Sequence, residues 1–266
     1  MAKLWLFDTH AHLDESAFAE DVTEVVQRAE SAGLIGILTV GVSATSSEAA
    51  IRLAETFPLV WAAVGIHPNY AAQAALDDWR KIEELVQHPR VVALGETGLD
   101  RHWHYTPFDV QQEYFRRHLE LSRRTGLPVV IHCREAEADL RQLLEQEFKN
   151  HGLLRGVLHS FSGTWETAEL GLQLGLYISF AGMLTYKNAD SLRQVASRVP
   201  DSQLLVETDS PYLVPVPLRG KRQRNEPAYL FHTLHCLAEA RNTEPETLAA
   251  TTTANAFRLF KIPKTH

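Results

Sequence analysis

The chain has 266 residues, 45% of them hydrophobic and 22% charged, which is typical of one large α/β domain or two small ones. The formal net charge of −7 argues against a surface coated in basic residues, so a nucleic-acid substrate would need a local basic patch. No apolar run approaches the ~20 residues of a membrane span, and no signal peptide is apparent. Two cysteines, Cys133 and Cys236, are too few for a disulfide framework, and they favour a cytoplasmic location.

Eight short apolar segments alternate along the chain with segments whose apolar residues repeat every 3.6 positions. The predicted strands are Leu4–Phe7, Leu34–Val40, Leu59–Val64, Val91–Leu94, Pro128–His132, Gly156–Leu158, Leu176–Phe180 and Leu204–Val206. The predicted helices between them cover residues 19–32, 46–56, 75–87, 107–125, 135–149, 164–174 and 189–199. Two further helices, Pro227–Ala240 and Pro245–Phe260, follow the eighth strand.

Local signals support several helix ends. Thr45 with Glu48 fits a capping box, and Thr106 followed by Pro107 fits an N-cap with proline at the first helical position. Gly33 and Gly126 fall just past two predicted helix ends.

This alternation predicts an α/β fold, a closed (β/α)8 or TIM barrel, and the length is near the ~250 residues typical of that fold. An open doubly wound sheet would predict a glycine-rich phosphate turn after the first strand, and none is present. No linker, repeat or low-complexity segment divides the chain. We therefore expect a single domain over residues 1–266.

Potential metal ligands collect at the carboxyl ends of the predicted strands, where the chemistry of such barrels takes place. They are His10 and His12 after the first strand, His67 after the third, Glu96 after the fourth, His132 and His159 at the fifth and sixth, and Asp209 after the eighth. Each residue alone is more simply a helix cap or a loop residue. Their convergence on one rim indicates a metal site, because buried polar groups are costly unless they are paired or metal-bound.

Seven motifs in this order resemble those of the TatD family of metal-dependent hydrolases, and the resemblance covers essentially the whole chain. They are Asp-Thr-His-Ala-His-Leu (8–13), Gly-Ile-His-Pro (65–68), Gly-Glu-Thr-Gly-Leu-Asp (95–100), His-Cys-Arg (132–134), His-Ser-Phe-Ser-Gly (159–163), Glu-Thr-Asp-Ser-Pro-Tyr-Leu (207–213) and Arg-Asn-Glu-Pro (224–227). The resemblance implies an amidohydrolase-like TIM barrel and a deoxyribonuclease, including 3′→5′ exonuclease action.

The resemblance also implies two divalent metals. His10, His12, Glu96 and Asp209 would hold one ion, and Glu96, His132 and His159 the second, with Glu96 bridging. Such a pair can stabilise the attacking and leaving oxygens of a phosphodiester displacement, and Asp209 is the candidate general base. The mixed nitrogen and oxygen donors suit Zn, Mn, Ni or Fe and tolerate Mg.

Four residues are candidates for contacts with DNA, the expected substrate. Arg134 shares the strand parity of His132 and is predicted to face phosphate, although an ordinary salt bridge is an equal alternative. His67 is expected to contact a ligand or the substrate, or to be structural. In the cationic loop 219–224, Arg222 and Arg224 are predicted to bind phosphates, with a solvated loop as the alternative. No obligate protein partner is evident.

Three smaller points remain open. Asp100 either orients a ligand or holds its loop, and Cys133 is expected to face the surrounding helices as a small buried hydrophobe. Residues 101–105, Arg-His-Trp-His-Tyr, depart from the aromatic pattern of the family, so the resemblance assigns no substrate contact to this loop, and His102 and His104 could bind adventitious metal.

Two other readings compete with the nuclease. One is a metallohydrolase of the same barrel that acts on amides or small phosphate esters; several such enzymes use a carbamylated lysine as the bridging ligand, whereas this chain has Glu96. The other is a non-catalytic barrel that binds metal, nucleic acid or a partner, against which the complete ligand set argues.

Overall fold

The computed structural model describes residues 5–263, which fold as eight β-strands, each followed by helical structure. The strands are β1 (Leu6–Ala11), β2 (Leu34–Val40), β3 (Val60–Val64), β4 (Val91–Asp100), β5 (Val129–Arg134), β6 (Gly156–Leu158), β7 (Tyr177–Phe180) and β8 (Leu204–Val206). The α-helices are α1 (Val22–Ser31), α2 (Ala44–Thr56), α3 (Asp78–Leu85), α4 (Phe108–Thr125), α5 (Glu137–His151), α6 (Trp165–Gln173), α7 (Asp190–Arg198), α8 (Leu230–Arg241) and α9 (Pro245–Phe260).

The strands form one parallel sheet in the order β1 to β8, and the predicted TIM barrel is confirmed. The barrel closes where the end of β1 meets the segment after β8. The Asp209 amide donates to the His10 carbonyl at 2.9 Å, and the His12 amide donates to the Ser210 carbonyl at 2.7 Å. The closing hydrogen bonds therefore involve three residues predicted to hold metal, His10, His12 and Asp209.

Apolar side chains fill the structure on both sides of the sheet. The larger cluster packs the outer face of the strands against the helices. The smaller cluster lies inside the barrel and includes Phe7, Leu38 and Val130. Phe260 at the end of α9 belongs to this inner cluster, with its ring 6.0 Å from that of Phe7. Helix α9 thus covers the amino ends of the strands and leaves the carboxyl ends open.

Three strands extend beyond the ranges predicted from apolar patterning. β1 runs to Ala11, β4 to Asp100 and β5 to Arg134, although polar residues occupy these extensions. Strand pairing uses backbone groups, so a strand continues through polar residues when their side chains have partners in the barrel mouth. Of the first predicted strand, Leu4 lies outside the described residues.

Two predicted helix caps are wrong. The side chain of Ser43, not Thr45, caps α2 by accepting from the Ser46 amide at 3.2 Å. The hydroxyl of Thr106 accepts from the Ala72 amide at 3.2 Å, so it joins two loops instead of capping α4. The predicted glycines are confirmed, since Gly33 and Gly126 follow α1 and α4 with φ of 96° and 72°.

Two predictions concern the chain as a whole. None of the helices between residues 5 and 263 combines the length and apolar character needed to cross a membrane. The single domain over residues 1–266 includes both undescribed ends and stays a prediction.

Candidate metal centre

A cavity of about 790 Å³ opens at the carboxyl ends of the strands. Five of the six predicted metal ligands line it: His12, Glu96, His132, His159 and Asp209. The sixth, His10, is fully buried and stacks on the ring of His159 with 4.0 Å between ring centroids. The barrel thus brings together residues separated by as much as 199 positions.

The first donor group consists of the Nε2 atoms of His10 and His12 with one oxygen each of Glu96 and Asp209. The two nitrogens are 3.1 Å apart. Glu96 Oε2 lies 3.5 and 3.6 Å from them, and Asp209 Oδ1 lies 3.7 and 3.5 Å from them. Four donors held tetrahedrally about 2.1 Å from an ion are about 3.4 Å apart. These five separations are near that value, and His10, His12 and Glu96 lie close enough together to hold a metal ion.

The second donor group lies on the other side of the Glu96 carboxylate. Glu96 Oε1 is 2.9 Å from His132 Nδ1 and 2.8 Å from His159 Nε2, and these two nitrogens are 3.4 Å apart. The two oxygens of Glu96 therefore face separate groups, Oε2 the first and Oε1 the second. A single carboxylate so placed can bridge two ions.

Hydrogen bonds at the far side of three imidazoles leave their near nitrogens suited to binding metal. His12 Nδ1 donates to the Val40 carbonyl at 2.9 Å, and His132 Nε2 donates to Asp100 Oδ2 at 3.1 Å. His159 Nδ1 donates to Glu207 Oε1 at 3.3 Å. Because the proton sits on the far nitrogen of each neutral ring, the near nitrogen keeps its lone pair for a cation.

His67 also reaches the cluster, with Nε2 3.3 Å from Glu96 Oε1, but its hydrogen bonding is reversed. Its Nδ1 accepts from the Asn69 amide at 3.0 Å, so the neutral ring carries its proton on Nε2, facing Glu96. With its proton on Nε2, His67 is a hydrogen-bond donor to the cavity. His67, Glu96 and His132 lie close enough together to hold a metal ion, but His67 would need the other tautomer to act as a ligand.

Two further groups support the donor atoms. His10 Nδ1 is buried and has no hydrogen-bond partner within residues 5–263, which leaves Nε2 as the end of the ring in polar contact. Glu207 is fully buried, and its Oε1 also accepts from the Ser160 amide at 2.6 Å. The sequence predicted no role for Glu207 beyond its place in the motif 207–213. Its position directly after β8 is the signal that could have identified it as part of the site.

Glycines around Glu96 allow the strands to approach closely. Gly98 has φ of 137°, and a Cβ there would collide with the backbone of His132 on the neighbouring strand. A Cβ at Gly65 would lie 2.6 Å from the Cα of Gly95. The glycines on β4 and after β3 have no side chain, so these backbones can approach closely and Glu96 lies near both neighbouring strands.

Burial and mutual charge set the protonation of the cluster. Burial would lower the pKa of His12, but the hydrogen bond to Asp209 and the charges of Glu96 and Asp209 raise it to about 9. Burial would raise the pKa of Glu96, but the charge of His159 and the hydrogen bonds from His10 and His132 hold it well below its usual value. Ionised carboxylates therefore face protonated imidazoles, and bound cations would replace those protons.

Asp100 holds its loop and also contacts the candidate ligand His132, so the structure is compatible with both predicted alternatives. Besides the bond from His132, its oxygens accept from Asn69 Nδ2 at 3.0 Å and from the backbone amides of His102 and Trp103 at 2.8 and 2.9 Å. These bonds lower its pKa against the effect of burial, which keeps the carboxylate ionised.

The predicted substrate-binding residues occupy different environments. Arg134 lines the cavity, with its guanidinium carbon 5.8 Å from the Trp103 ring centroid. Arg222 is exposed and is not among the residues that line the cavity. Arg224 pairs with Asp21 and Glu226, at 2.5 and 3.1 Å. Phosphate contacts by Arg222 and Arg224 stay a prediction.

Two smaller expectations can be compared with the structure. Cys133 packs against the outer apolar cluster as predicted, but it is only partly buried and also lines the cavity. Burial raises the pKa of its thiol to about 12. His102 Nδ1 donates to Glu135 Oε1 at 2.7 Å at the surface of the 101–105 loop.

The fold and these donor groups define a metal-dependent hydrolase of the TIM-barrel class. Residues 7–261 match the family described as TatD related DNase, and the chain belongs to this family. The Bacillus subtilis protein named "Uncharacterized metal-dependent hydrolase YabD" is 39% identical over 257 residues, covering 97% of this chain and 99% of its own.

A second relative and a solved structure extend the comparison. The Citrobacter rodentium "3'-5' ssDNA/RNA exonuclease TatD" is 38% identical over 260 residues, covering 97% of this chain and 98% of its own. The crystal structure of YjjV, a TatD homologue from Escherichia coli, superposes with a TM-score of 0.89 at 31% identity, covering 97% of this chain and 98% of the other.

Proposed function

We propose that this protein is an exonuclease with two divalent metals that shortens single-stranded DNA or RNA from its 3′ end. The observation that carries the proposal is the Glu96 carboxylate, whose two oxygens face two separate donor groups. Two-metal sites suit phosphodiester hydrolysis because attacking and leaving oxygens both need stabilisation. Relatives of this length named as 3'-5' ssDNA/RNA exonucleases support the choice of substrate and polarity.

The side chains have distinct roles in this proposal. The ions, drawn from Zn, Mn, Ni, Fe or Mg, would supply Lewis-acid activation of water and phosphate. Asp209 is ionised, because hydrogen bonding to His12 and the charges of His10 and His159 lower its pKa against the effect of burial, so it accepts the proton of the attacking water. The Nε2–H group of His67 donates a hydrogen bond to a phosphate oxygen, and Arg134 at the cavity wall pairs with phosphate.

A cytoplasmic location accompanies this proposal. Cys133 and Cys236 are both free and only partly buried, which suits a reducing compartment.

The test is a substrate panel with metal-loaded protein, comparing single-stranded DNA, single-stranded RNA, duplex DNA, an amide and a small phosphate ester, each with and without chelator. We expect 3′ shortening of single strands, abolished by chelator, and about two metals per chain by elemental analysis. Asp209→Asn should lower the rate by about 10²–10⁴, the usual contribution of a general base. The control Asp190→Asn changes an exposed residue of α7 and should be unaffected.

Other results would select another function. Hydrolysis of the amide or the small ester alone would identify a different metallohydrolase. Binding of nucleic acid that chelator does not alter, without any cleavage, would identify a non-catalytic protein.

A further inference from the structure

Four exposed aromatic side chains surround the opening of the cavity. Residues 5–263 expose seven aromatic side chains, and four of them line this cavity: Tyr70, Trp103, Tyr105 and Tyr212, here named the aromatic rim. Their exposed fractions lie between 42% and 59%. Because apolar rings gain free energy when they leave water, their concentration at one opening indicates a binding surface.

Two members of the aromatic rim already form a stack. The rings of Trp103 and Tyr105 are nearly parallel, with 16° between planes and 5.5 Å between centroids. Tyr105 is the most exposed of the four, at 59%, so its ring can accept another flat group.

The stack is fixed relative to the metal centre. The Trp103 amide donates to Asp100 Oδ1 at 2.9 Å, while the other oxygen of Asp100 accepts from His132. A group stacked on this loop is therefore held at a set position relative to the metal ligands.

The charges around the cavity do not suit a ligand held mainly through many phosphates. Among the described residues that line it, Arg134 is the one lysine or arginine. Across the opening, the hydroxyl of Tyr212 donates to the carboxylate of Glu15 at 3.1 Å. Recognition must therefore use the aromatic faces more than cationic side chains.

We propose that the aromatic rim stacks the unpaired bases next to the 3′ end of a single strand, with Trp103 and Tyr105 as the principal platform. The inference rests on the proposed function and adds the reason for a single-strand preference. Stacking accepts any base, because every base has a π face, whereas the bases of a duplex are already stacked and paired.

The experiment measures equilibrium binding by fluorescence anisotropy with metal-loaded protein and two uncleavable phosphorothioate probes. One probe is a ten-nucleotide oligothymidylate, and the other is an abasic strand of the same length. Tyr105→Ala and Trp103→Ala should each weaken binding of oligothymidylate by about 5- to 150-fold, the usual effect of losing one stacked base. Neither variant should change binding of the abasic strand by more than about twofold, since the abasic strand has no bases to stack.

Two control variants separate stacking from general damage. Tyr105→Phe keeps the ring and should bind oligothymidylate like the wild type. Phe231→Ala removes an exposed aromatic residue of α8 outside the cavity and should have no effect.

The outcomes distinguish the two proposals. If the wild type shortens single strands but Tyr105→Ala and Trp103→Ala bind oligothymidylate as tightly as the wild type, stacking is refuted and the nuclease proposal stands. Equal losses on the abasic strand would also refute stacking. If the wild type neither binds nor cleaves any oligonucleotide, the proposed function fails and the inference falls with it.

Discussion

At the scale of single residues, Asp100 connects the metal centre to the substrate opening. One oxygen accepts from the metal-ligand candidate His132, and the other accepts from the amides of the loop that carries Trp103. A carboxylate behind a metal-binding histidine fixes its tautomer and raises its basicity. Asp100 thus positions a ligand without itself facing the proposed ions.

Asp100→Asn tests this positioning role. The amide nitrogen of asparagine cannot accept the His132 proton, so we expect metal affinity to fall by about 10- to 100-fold. Competition with a chromogenic chelator measures this affinity independently of any nuclease activity. Asp139→Asn is the matched control, because Asp139 pairs with Arg101 near the same loop. Unchanged affinity in Asp100→Asn would remove the role assigned to Asp100.

The residue type alone does not decide which histidine can bind metal. His12 and His67 both follow strands and both approach Glu96 through Nε2, at 3.6 and 3.3 Å. They differ at Nδ1, which donates to a carbonyl in His12 and accepts from an amide in His67. Their roles therefore depend on a backbone atom elsewhere in the fold.

At the scale of secondary-structure elements, α4 holds the segments that carry His67 and Glu96. His118 of α4 is fully buried, and its Nε2 accepts from the Ile66 amide at 3.1 Å. Its Nδ1 donates to the Tyr114 carbonyl at 2.7 Å and lies 3.1 Å from the Thr97 hydroxyl. Ile66 precedes His67 and Thr97 follows Glu96, so this histidine, which sequence reasoning missed, supports the site from outside the barrel.

The same histidine gives a prediction about pH. Burial lowers the pKa of His118 from 6.5 to about 4 in the folded protein, so the unfolded chain takes up a proton first as pH falls. The stability that neutral His118 contributes is present above pH 6.5 and is lost as pH falls to about 4, a change of about 3 kcal/mol.

Urea unfolding at several pH values measures this change. His118→Gln should be less stable than the wild type at pH 7, and the difference should shrink towards pH 4. The control His151→Gln alters an exposed histidine of α5 and should follow the wild type. A difference that is constant with pH would show that His118 does not carry the effect.

At the scale of the whole molecule, the basic loop 219–224 is not part of the cavity surface. The chain has a net charge of −7, and, within residues 5–263, no cation of loop 219–224 is among the residues that line the cavity. Arg224 is already paired with acidic residues. A single strand in the cavity therefore meets one arginine, Arg134, besides any bound metal.

This distribution predicts weak salt dependence. Each neutralised phosphate of a single strand contributes about −0.7 to the slope of log K against log salt, so Arg134 and the metal centre should give a slope between about −0.7 and −2. Anisotropy titrations with oligothymidylate between about 50 and 300 mM salt measure this slope. A slope of about −3 that Arg222→Ala makes shallower would instead place the loop cations on the strand.

Much of the fold and the ligand set is determined by the sequence itself. The alternation of apolar strands with amphipathic helices is a local pattern with a physical cause, and it specified eight strands and the barrel. The polar residues after those strands marked the candidate ligands, His67 among them. The resemblance to the TatD family then selected His10, His12, Glu96, His132, His159 and Asp209. The barrel does bring these residues together, because parallel strands all end at the same rim.

Tertiary structure alone decided the finer features. The ends of β1 and β4 and the cap at Ser43 depend on hydrogen bonds to distant or competing partners, which a local pattern does not contain. Two further features exist only after strands and helices pack together. The two oxygens of Glu96 then face separate donor groups, and His118 supports the site. Periodicity records which face of a segment is buried, whereas a hydrogen bond depends on which atom lies within about 3 Å after folding.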